Sequence, residues 1–430
     1  MKSFFIAVTG LLLLCNTSFA KQTANWPGWR GPSDNSVAEG DFPVEFSPEQ
    51  NLLWKAELPG IGSSTPVVWG EFVFVTCSIP QKEGPPTDAI ACYQFERSQP
   101  TADTVWLRPL GPGKNGKHPN GSGANPSPVT DGKVVVAYFK SGRLSCWDFD
   151  GNRIWEKNLQ EMYGENTLWW DLGTSPVLAG DKVVVAVMQE GDSYMVAFNL
   201  GDGEVAWKTR RQYKRPRESD QAYTTPHVIK QGGALTIVTW GADHLTGHDA
   251  ATGNLVWECG GFNPEEKGMW RVIASAAVTP EVAVVPYGRA EHLAAVSLKE
   301  NHGDITADAE LWRRHDLGAD VPTPIIHGDQ VFVLGDKRQL TKLDLQTGKT
   351  LDEFKLPKNR NKYYASPILA GGNLYCTRED GTIFVVSTEN EFEVLAENEL
   401  GEKTIATPVA VRNRLLVRGE KHLFLFGSEN

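Results

Sequence analysis

One pattern recurs along the chain and constrains its fold more than any other feature. Its clearest copy, residues 127–159, begins with Ser127-Pro128 and contains four short apolar segments separated by turns. Two of the turns carry Asp131-Gly132 and Asp150-Gly151, and Asp-Gly between apolar β-branched runs is a strong signal for a tight hairpin. This copy therefore predicts a four-stranded antiparallel meander. Such a sheet cannot bury both of its faces alone, so further copies are expected to pack against it.

The start of the pattern, a Ser or Thr followed by proline, gives the number of copies. The gap of 98 residues between Pro226 and Pro324 is about twice the usual spacing, which predicts a further copy between them. Residues 275–278 supply it, with Ala277 in the place of the proline. Eight first strands result. The seven prolines are Pro66, Pro128, Pro176, Pro226, Pro324, Pro367 and Pro408.

The two ends of the pattern complete each other. Residues 407–426 provide only three strands, whereas residues 51–55 resemble a fourth strand with nothing before it. We therefore predict an all-β fold, an eight-bladed β-propeller of four-stranded antiparallel blades in which the N-terminal strand completes the last blade. A tryptophan in most fourth strands is expected to dock between adjacent blades. These tryptophans are Trp54, Trp106, Trp155, Trp207, Trp257 and Trp312.

The N-terminus predicts export. Lys2 precedes an apolar run, and small residues follow it at 18–20, so residues 1–20 are interpreted as a cleaved signal peptide. Residues 21–50 are then an N-terminal extension and residues 51–430 the propeller. Cys15 lies in a poor context for lipid attachment, and no other stretch is long and apolar enough to span a bilayer. We expect a secreted or periplasmic protein without a transmembrane segment.

Cysteine spacing and charge exclude several classes of site. Past residue 20 five cysteines remain and none forms a CxxC, so no metal site is expected. Cys77 and Cys92 flank one hairpin, and the sequence leaves open whether they are bridged or free. The formal net charge of −11 argues against a nucleic-acid partner.

Two copies of the pattern carry a family resemblance. Residues 249–257 (DAATGNLVW) and 343–349 (LDLQTGK) resemble the A-x-D-x-x-T-G-x-x-x-W repeat of the pyrroloquinoline-quinone (PQQ)-like β-propellers. That family includes quinoprotein alcohol dehydrogenases and the non-enzymatic scaffold BamB. The opening residues 26–32 (WPGWRGP) are similar to the start of many secreted bacterial members.

The resemblance implies a fold more firmly than a function. Quinoprotein dehydrogenases carry a pair of adjacent cysteines against the quinone, and this chain has no such pair. We therefore expect no cofactor, with PQQ and calcium as the alternative.

The long connections from each fourth strand to the next first strand are where function is expected, since binding residues concentrate on loops held by a rigid scaffold. These connections are rich in basic and aromatic residues, which suit a carboxylate, a phosphate or a sugar ring. A solvated charged loop is the other interpretation of the run at 210–217. The candidate ligand-binding residues are Trp169, Trp170, Asp171, Arg211, Arg215, Tyr223, Trp270, Arg271, Lys362 and Tyr364.

The sequence thus predicts a monomeric binding or scaffold module, not an enzyme, with a protein, carbohydrate or anionic ligand on its basic and aromatic loop face. No GxSxG or HExxH motif is present, and no catalytic residue can be named. The alternatives are a PQQ-dependent quinoprotein dehydrogenase and a hydrolase whose carboxylates meet only in the folded propeller.

Overall fold

Eight β-sheets surround a central axis in the computed structural model, which describes residues 23–96, 104–299 and 302–428. Each sheet has a core of four antiparallel strands, two of the sheets carry a short fifth strand added in parallel, and one sheet combines strands from the two ends of the chain. The prediction of an eight-bladed propeller is confirmed. The proposed signal peptide, residues 1–20, lies outside the described residues.

Two short strands precede the first blade: β1 (Val37–Ala38) and β2 (Leu52–Glu57). Blades 1 to 4 then follow in chain order, each from its innermost to its outermost strand. Blade 1 contains β3 (Val67–Trp69), β4 (Phe72–Ile79), β5 (Thr87–Gln94) and β6 (Thr104–Pro112). Blade 2 contains β7 (Val129–Thr130), β8 (Val134–Tyr138), β9 (Arg143–Asp148) and β10 (Arg153–Asn158), and a short helix α1 (Leu159–Tyr163) follows it. Blade 3 contains β11 (Val177–Ala179), β12 (Lys182–Val187), β13 (Tyr194–Asn199) and β14 (Val205–Arg210). Blade 4 contains β15 (His227–Gln231), β16 (Ala234–Gly241), β17 (His244–Asp249) and β18 (Leu255–Cys259).

Blades 5 to 8 complete the circle. Blade 5 contains β19 (Ala277–Val278), β20 (Val282–Tyr287), β21 (His292–Ser297) and β23 (Glu310–Arg314), while the intervening β22 (Gly303–Asp304) adds to the edge of blade 4. Blade 6 contains β24 (Ile325–His327), β25 (Gln330–Leu334), β26 (Gln339–Asp344) and β27 (Thr350–Lys355). Blade 7 contains β28 (Ile368–Ala370), β29 (Asn373–Thr377), β30 (Thr382–Ser387) and β31 (Glu393–Glu399). Blade 8 contains β32 (Val409–Val411), β33 (Arg414–Arg418) and β34 (His422–Phe426).

The N-terminal strand closes the ring. β2 pairs antiparallel with β34, with Trp54 opposite Leu425 and Ala56 opposite Leu423, and so provides the fourth strand of blade 8. Because a propeller closed in this way joins its first and last segments, opening it would expose the edge of β34. The sequence prediction of this closure is confirmed.

The outer-strand tryptophans lie between adjacent blades. Trp155 Nε1 donates to the carbonyl oxygen of Leu200 in blade 3 at 2.8 Å, and the ring lies against Gly203, where a Cβ would come within 2.6 Å of the indole. Trp54, Trp106, Trp207 and Trp312 make the same kind of bond to the next blade at 2.8 to 3.1 Å. Trp257 is buried as well, but its Nε1 has no acceptor among the described residues. Each tryptophan thus fills an inter-blade space, and five of the six also bond across it.

The N-terminal extension runs through the axial channel, along the innermost strands. Trp26 exchanges backbone hydrogen bonds with Val68 in blade 1, and Pro27 accepts from Thr130 in blade 2. Arg30, which is 1% exposed, donates to the carbonyl oxygens of Thr323 and Pro324 across the axis in blade 6. β1 then pairs parallel with β28 in blade 7. This segment therefore ties distant blades together from inside the channel.

The cysteines of the described residues are free and buried. Cys77 lies opposite Ala89 and Cys92 opposite Phe74, three positions apart along the same pair of strands. Since side chains alternate between the two faces of a strand, their thiols point to different faces and cannot form a bridge. Cys77 accordingly belongs to the core shared with blade 8, and Cys92 to the core shared with blade 2.

Candidate functional site

A cavity of about 410 Å³ opens on the axis at the end of the propeller that carries the connections from each fourth strand to the next first strand. We call this end the loop face and the opening the axial cavity. All eight blades contribute to its walls. Among the predicted ligand-binding residues, six line it: Trp170, Asp171, Tyr223, Arg271, Lys362 and Tyr364.

The deepest part of the wall is a ring of eight hydroxyl groups, one from the start of each innermost strand. The backbone N–H of Thr65 donates to the hydroxyl of Ser127 at 2.9 Å, and Ser127 N–H in turn donates to Ser175 at 2.9 Å. Four more bonds of 2.9 to 3.0 Å continue the series as far as Ser366. The members of this hydroxyl ring are Thr65, Ser127, Ser175, Thr225, Ser275, Thr323, Ser366 and Thr407, all of which line the axial cavity.

The hydroxyl ring corrects one position in the repeat as it was assigned from the sequence. In blade 5 the residue that accepts from Thr225 N–H and donates to Thr323 is Ser275, so the place of the proline belongs to Ala276. The assignment of Ala277 to that place was wrong by one residue, because three small residues in succession gave no unique register. Ala277 is instead the first residue of β19.

Hydrogen bonding within the protein leaves the O–H groups of the ring unused as donors. Its members are at most 7% exposed, and in six of them the oxygen already accepts a backbone N–H. None of the eight hydroxyls donates to another group in the described part of the chain. A hydroxyl has one hydrogen to give, so the ring presents O–H donors to the axial cavity.

Trp170 forms an aromatic wall whose position is fixed by its neighbours. Its side chain is 39% exposed, and its Nε1 donates to Glu218 Oε1 at 2.9 Å. The guanidinium of Arg271 lies 5.6 Å from the ring centroid and donates to the same Glu218 oxygen at 3.1 Å. The hydroxyl of Tyr223 accepts from Trp170 N–H at 3.2 Å. An exposed indole is thus held in one orientation on a cavity wall.

Asp171 is surrounded by donors from the protein and holds a loop in place. Both carboxylate oxygens accept from Lys117 N–H at 2.9 Å, one of them accepts from His118 N–H at 2.8 Å, and the side chain forms a buried ion pair with Lys140. The loop approaches so closely that a Cβ on Gly121 would lie 2.0 Å from the carboxylate. Asp171 therefore organises the connection between blades 1 and 2, and its oxygens have little capacity left for a ligand.

The opposite side of the cavity carries groups that can donate. Lys362 is exposed, and its ammonium has no ion-pair partner in the described ranges. Burial, together with the nearby carboxylates of Glu379, Asp336 and Asp320, raises the pKa of Tyr364, so its phenol keeps its proton at neutral pH. His118 Nδ1 accepts from Asn120 N–H at 3.0 Å, which leaves the ring proton on Nε2.

Four predicted residues do not line the cavity. Arg211 is 2% exposed, and its guanidinium donates to Thr246 Oγ1 and to the carbonyl oxygens of Thr239, Gly241 and His244. Arg215 pairs with Asp243 at 2.8 Å and donates to Asn263. Their guanidinium groups hold loops together, so both arginines are removed from the candidate ligand-binding set.

The two remaining tryptophans also have protein partners. Trp169 donates to Glu190 Oε2 at 3.2 Å and lies under the guanidinium of Arg217. Trp270 packs beside Tyr287 and His292, outside the walls of the axial cavity.

Sequence reasoning missed the inner end of the site. Trp29, from the N-terminal extension, lines both the axial cavity and a second cavity of about 170 Å³, and so separates them. The second cavity contains Arg30, Asp34 and His227; burial lowers the pKa of His227 to about 3 and raises that of Asp34 to about 6. The aromatic and Arg-Gly-Pro content of residues 26–32 was the only available signal, and it does not reveal where the segment lies.

Comparison with known proteins identifies the family. The model of the family described as outer membrane protein assembly factor BamB matches residues 52–258, 219–391 and 301–417. The BamB of Salmonella typhimurium is 23% identical over 337 residues, which cover 74% of this chain and 76% of that protein. The BamB of Shewanella oneidensis is 22% identical over 301 residues, covering 67% and 70%.

Solved structures share the fold at low identity. The BamB structure from Moraxella catarrhalis has a TM-score of 0.60 at 14% identity, covering 88% of this chain and 98% of the other. The quinohemoprotein alcohol dehydrogenase from Comamonas testosteroni has a TM-score of 0.64 at 12% identity, covering 96% and 82%. A scaffold family and an enzyme family thus share this architecture, and the likeness shows the fold alone. Because the family model covers most of the propeller, the chain belongs to the BamB family of PQQ-like β-propellers.

Proposed function

We propose that this protein is a binding module that works as a scaffold, with the loop face around the axial cavity as its docking surface. The observation that carries the proposal is Trp170, an indole 39% exposed on a cavity wall and fixed by Glu218, Arg271 and Tyr223. A large aromatic ring held rigid in a concave site loses little conformational freedom on binding, which is why such residues dominate binding energy.

The acids of the axial cavity support a non-catalytic role. Asp171 is neutralised by Lys140, and Asp320 Oδ1 accepts from Arg289 Nε at 2.8 Å. A general acid or base needs a proton affinity near the working pH and access to the reacting atom. The carboxylate oxygens that these contacts occupy are already turned toward protein donors and not toward a substrate.

The residues also fit poorly to PQQ with calcium, the cofactor set of the dehydrogenase branch of this fold. Calcium takes six to eight oxygen ligands, several of them from carboxylates. The two carboxylates lining the axial cavity are already engaged by Lys140 and Arg289, and the cation Arg271 lines the same cavity. The sequence has no adjacent pair of cysteines that could pack against a quinone.

A protein partner is the occupant that the family favours, since the relatives are named as assembly factors for outer membrane proteins. Two observations lead us to place the protein outside the cytoplasm: the names of these relatives, which refer to the outer membrane, and the signal-like residues 1–20. Within the described ranges, no helix has the length and apolar character needed to cross a membrane.

Site-specific photo-crosslinking tests the docking surface. A photoreactive residue at Lys362, on the loop face, is compared with one at Lys349, an exposed lysine in the turn between β26 and β27 at the other end of the propeller. We expect one partner to be captured from position 362 and not from 349, and expect its purified form to bind Trp170→Ala more weakly than wild type. Capture from position 349 alone, or equal binding of Trp170→Ala, would move the docking surface elsewhere.

A further inference from the structure

We propose that the axial cavity recognises an oxyanion group, a carboxylate or sulfate carried by the ligand, and that the hydroxyl ring and Lys362 are the groups that bind it. The inference rests on the proposed binding role of this cavity and adds the chemistry of what enters it. The folded chain leaves hydrogen-bond donors unused around this cavity.

The hydroxyl ring supplies donors. In six of its eight members the oxygen is occupied by an N–H from the preceding blade, and all eight O–H groups are left without an acceptor in the described part of the protein. Accepting a hydrogen bond polarises a hydroxyl and strengthens its own donation. The inner part of the cavity is therefore a wall of donors on nine-tenths buried side chains.

The two carboxylates that line the cavity are engaged by cations of the protein. Asp171 accepts from Lys117, His118 and Lys140, and Asp320 accepts from Arg289. A neutral sugar hydroxyl needs a donor and an acceptor around it, whereas an oxyanion only accepts. The imbalance therefore favours an oxyanion over a neutral carbohydrate.

Three further donor groups line the same cavity. Lys362 contributes a cation without an ion-pair partner among the described residues, Tyr364 a protonated phenol, and His118 an Nε2 proton. Hydrogen bonds between a cation and an oxyanion are about twice as strong as neutral ones. Lys362 is thus the residue whose charge should matter most for affinity.

The apolar walls accommodate the remainder of the ligand. Trp170 lies on one side, and Trp29 closes the inner end. A volume of about 410 Å³ admits one side chain or a small molecule, not a folded domain. A partner protein would accordingly insert a terminus or an acidic side chain, while a free oxyanion could fill the same place.

Calorimetric titration at low ionic strength distinguishes the two sources. The first probe is sodium sulfate, against sodium chloride at matched ionic strength. The second is a tetraglutamate peptide, against tetraglutamine of the same length, both with an acetylated N-terminus and an amidated C-terminus so that the side chains carry the only difference in charge. We expect saturable binding of tetraglutamate and at least tenfold weaker binding of tetraglutamine, since the neutral amide cannot form a charge-assisted bond with Lys362 and brings donors to a site already rich in donors.

Matched variants locate the binding. Lys362→Gln should weaken tetraglutamate binding about tenfold, because it removes one charge-assisted bond. Tyr364→Phe should weaken it by a smaller factor. Lys349→Gln, at the opposite end of the propeller, should leave the affinity unchanged. Neither Lys362 nor Lys349 has a hydrogen-bond partner for its ammonium in the described protein, so both variants are expected to fold.

The results of the two titrations either support or contradict an oxyanion site in the axial cavity. Binding of sulfate but not tetraglutamate would support the oxyanion site and assign it to a small free ligand. Failure of both probes, equal binding of tetraglutamine, or no effect of Lys362→Gln would overturn it. A partner captured by the crosslinker at position 362 and indifferent to both probes would leave the scaffold role standing while this inference fails.

Discussion

The backbone N–H of Ser127 in blade 2 donates to the hydroxyl of Ser175 in blade 3 at 2.9 Å, and the residues that follow both are prolines. Proline has no N–H to give, and in six of the eight blades the N–H of the Ser or Thr before it, or before Ala276 in blade 5, supplies the link to the next blade. The Ser/Thr-Pro pattern is therefore a chain of bonds between blades around the axis. Crowding at the axis explains why these residues are small, and this bond explains why they carry a hydroxyl.

Removing one hydroxyl of the ring should destabilise the propeller. Ser175→Ala leaves the buried N–H of Ser127 without an acceptor, which should lower the free energy of unfolding by about 1–3 kcal/mol. Ser175→Thr is the matched control, because Thr225 and Thr323 make the same bond in other blades. Urea denaturation measures both variants. Equal stability of Ser175→Ala and wild type would mean that the bond contributes nothing to the closed ring.

Trp155 and Trp257 allow the contribution of the hydrogen bond between blades to be measured. Trp155→Phe removes the bond to Leu200, whereas Trp257→Phe removes a buried N–H that has no acceptor in the described protein. Both variants lose similar apolar area, so the difference isolates the hydrogen bond. We expect Trp155→Phe to be less stable than Trp257→Phe by about 1 kcal/mol. Trp155→Ala should cost about 3–5 kcal/mol because it also leaves a cavity. The reverse order of the two Phe variants would contradict this account.

The repeat was enough to predict the fold but not the site. Turn residues, strand lengths and the incomplete ends at residues 51–55 and 407–426 are local features, so counting them gave eight blades and their closure. Trp170 and Lys362, by contrast, are 192 residues apart and meet only because the ring brings their loops to one cavity.

Arg211 shows why loop composition misleads. It stands in a basic run that resembles a solvated or ligand-binding segment, yet it is 2% exposed and its oxygen partners come from β16 and β17. Nothing local distinguishes it from the exposed Arg210. Assigning such residues requires the contacts between blades, which the sequence pattern does not contain.

The burial of Arg211 leads to a prediction about stability. Arg211→Ala removes the guanidinium donor from the carbonyl oxygens of Thr239, Gly241 and His244, of which that of Thr239 keeps the hydroxyl of Thr246, so unfolding should become easier by about 2–4 kcal/mol. Arg210→Ala is the matched control, since within the described ranges that side chain bonds only to the neighbouring Gln212. Thermal and urea unfolding, followed by far-ultraviolet circular dichroism, compare the two. A stable Arg211→Ala variant that lost ligand binding would restore Arg211 to the ligand-binding set.

Asp88 should make the free energy of unfolding fall as the pH rises, whereas an ordinary paired carboxylate makes it rise. Burial raises its pKa to about 6, although Ser141 donates to Oδ2 at 2.5 Å and Arg143 lies nearby. An unfolded aspartate titrates near pH ~3.9, so between about pH 4 and 6 the folded protein binds more protons than the unfolded chain. Stability from this group is thus present at low pH and is lost as the pH rises through 6.

Asp88→Asn removes that titration and provides the measurement. The free energy of unfolding of the variant, minus that of wild type, should increase by about 2–3 kcal/mol between pH 4 and pH 7, which corresponds to about two pKa units. Asp150→Asn, in the exposed turn between β9 and β10, controls for the general loss of one negative charge. Urea denaturation at half-unit intervals of pH gives both differences. A difference that stays constant for Asp88→Asn, or that changes equally for Asp150→Asn, would show that Asp88 titrates alike in the folded and unfolded chain.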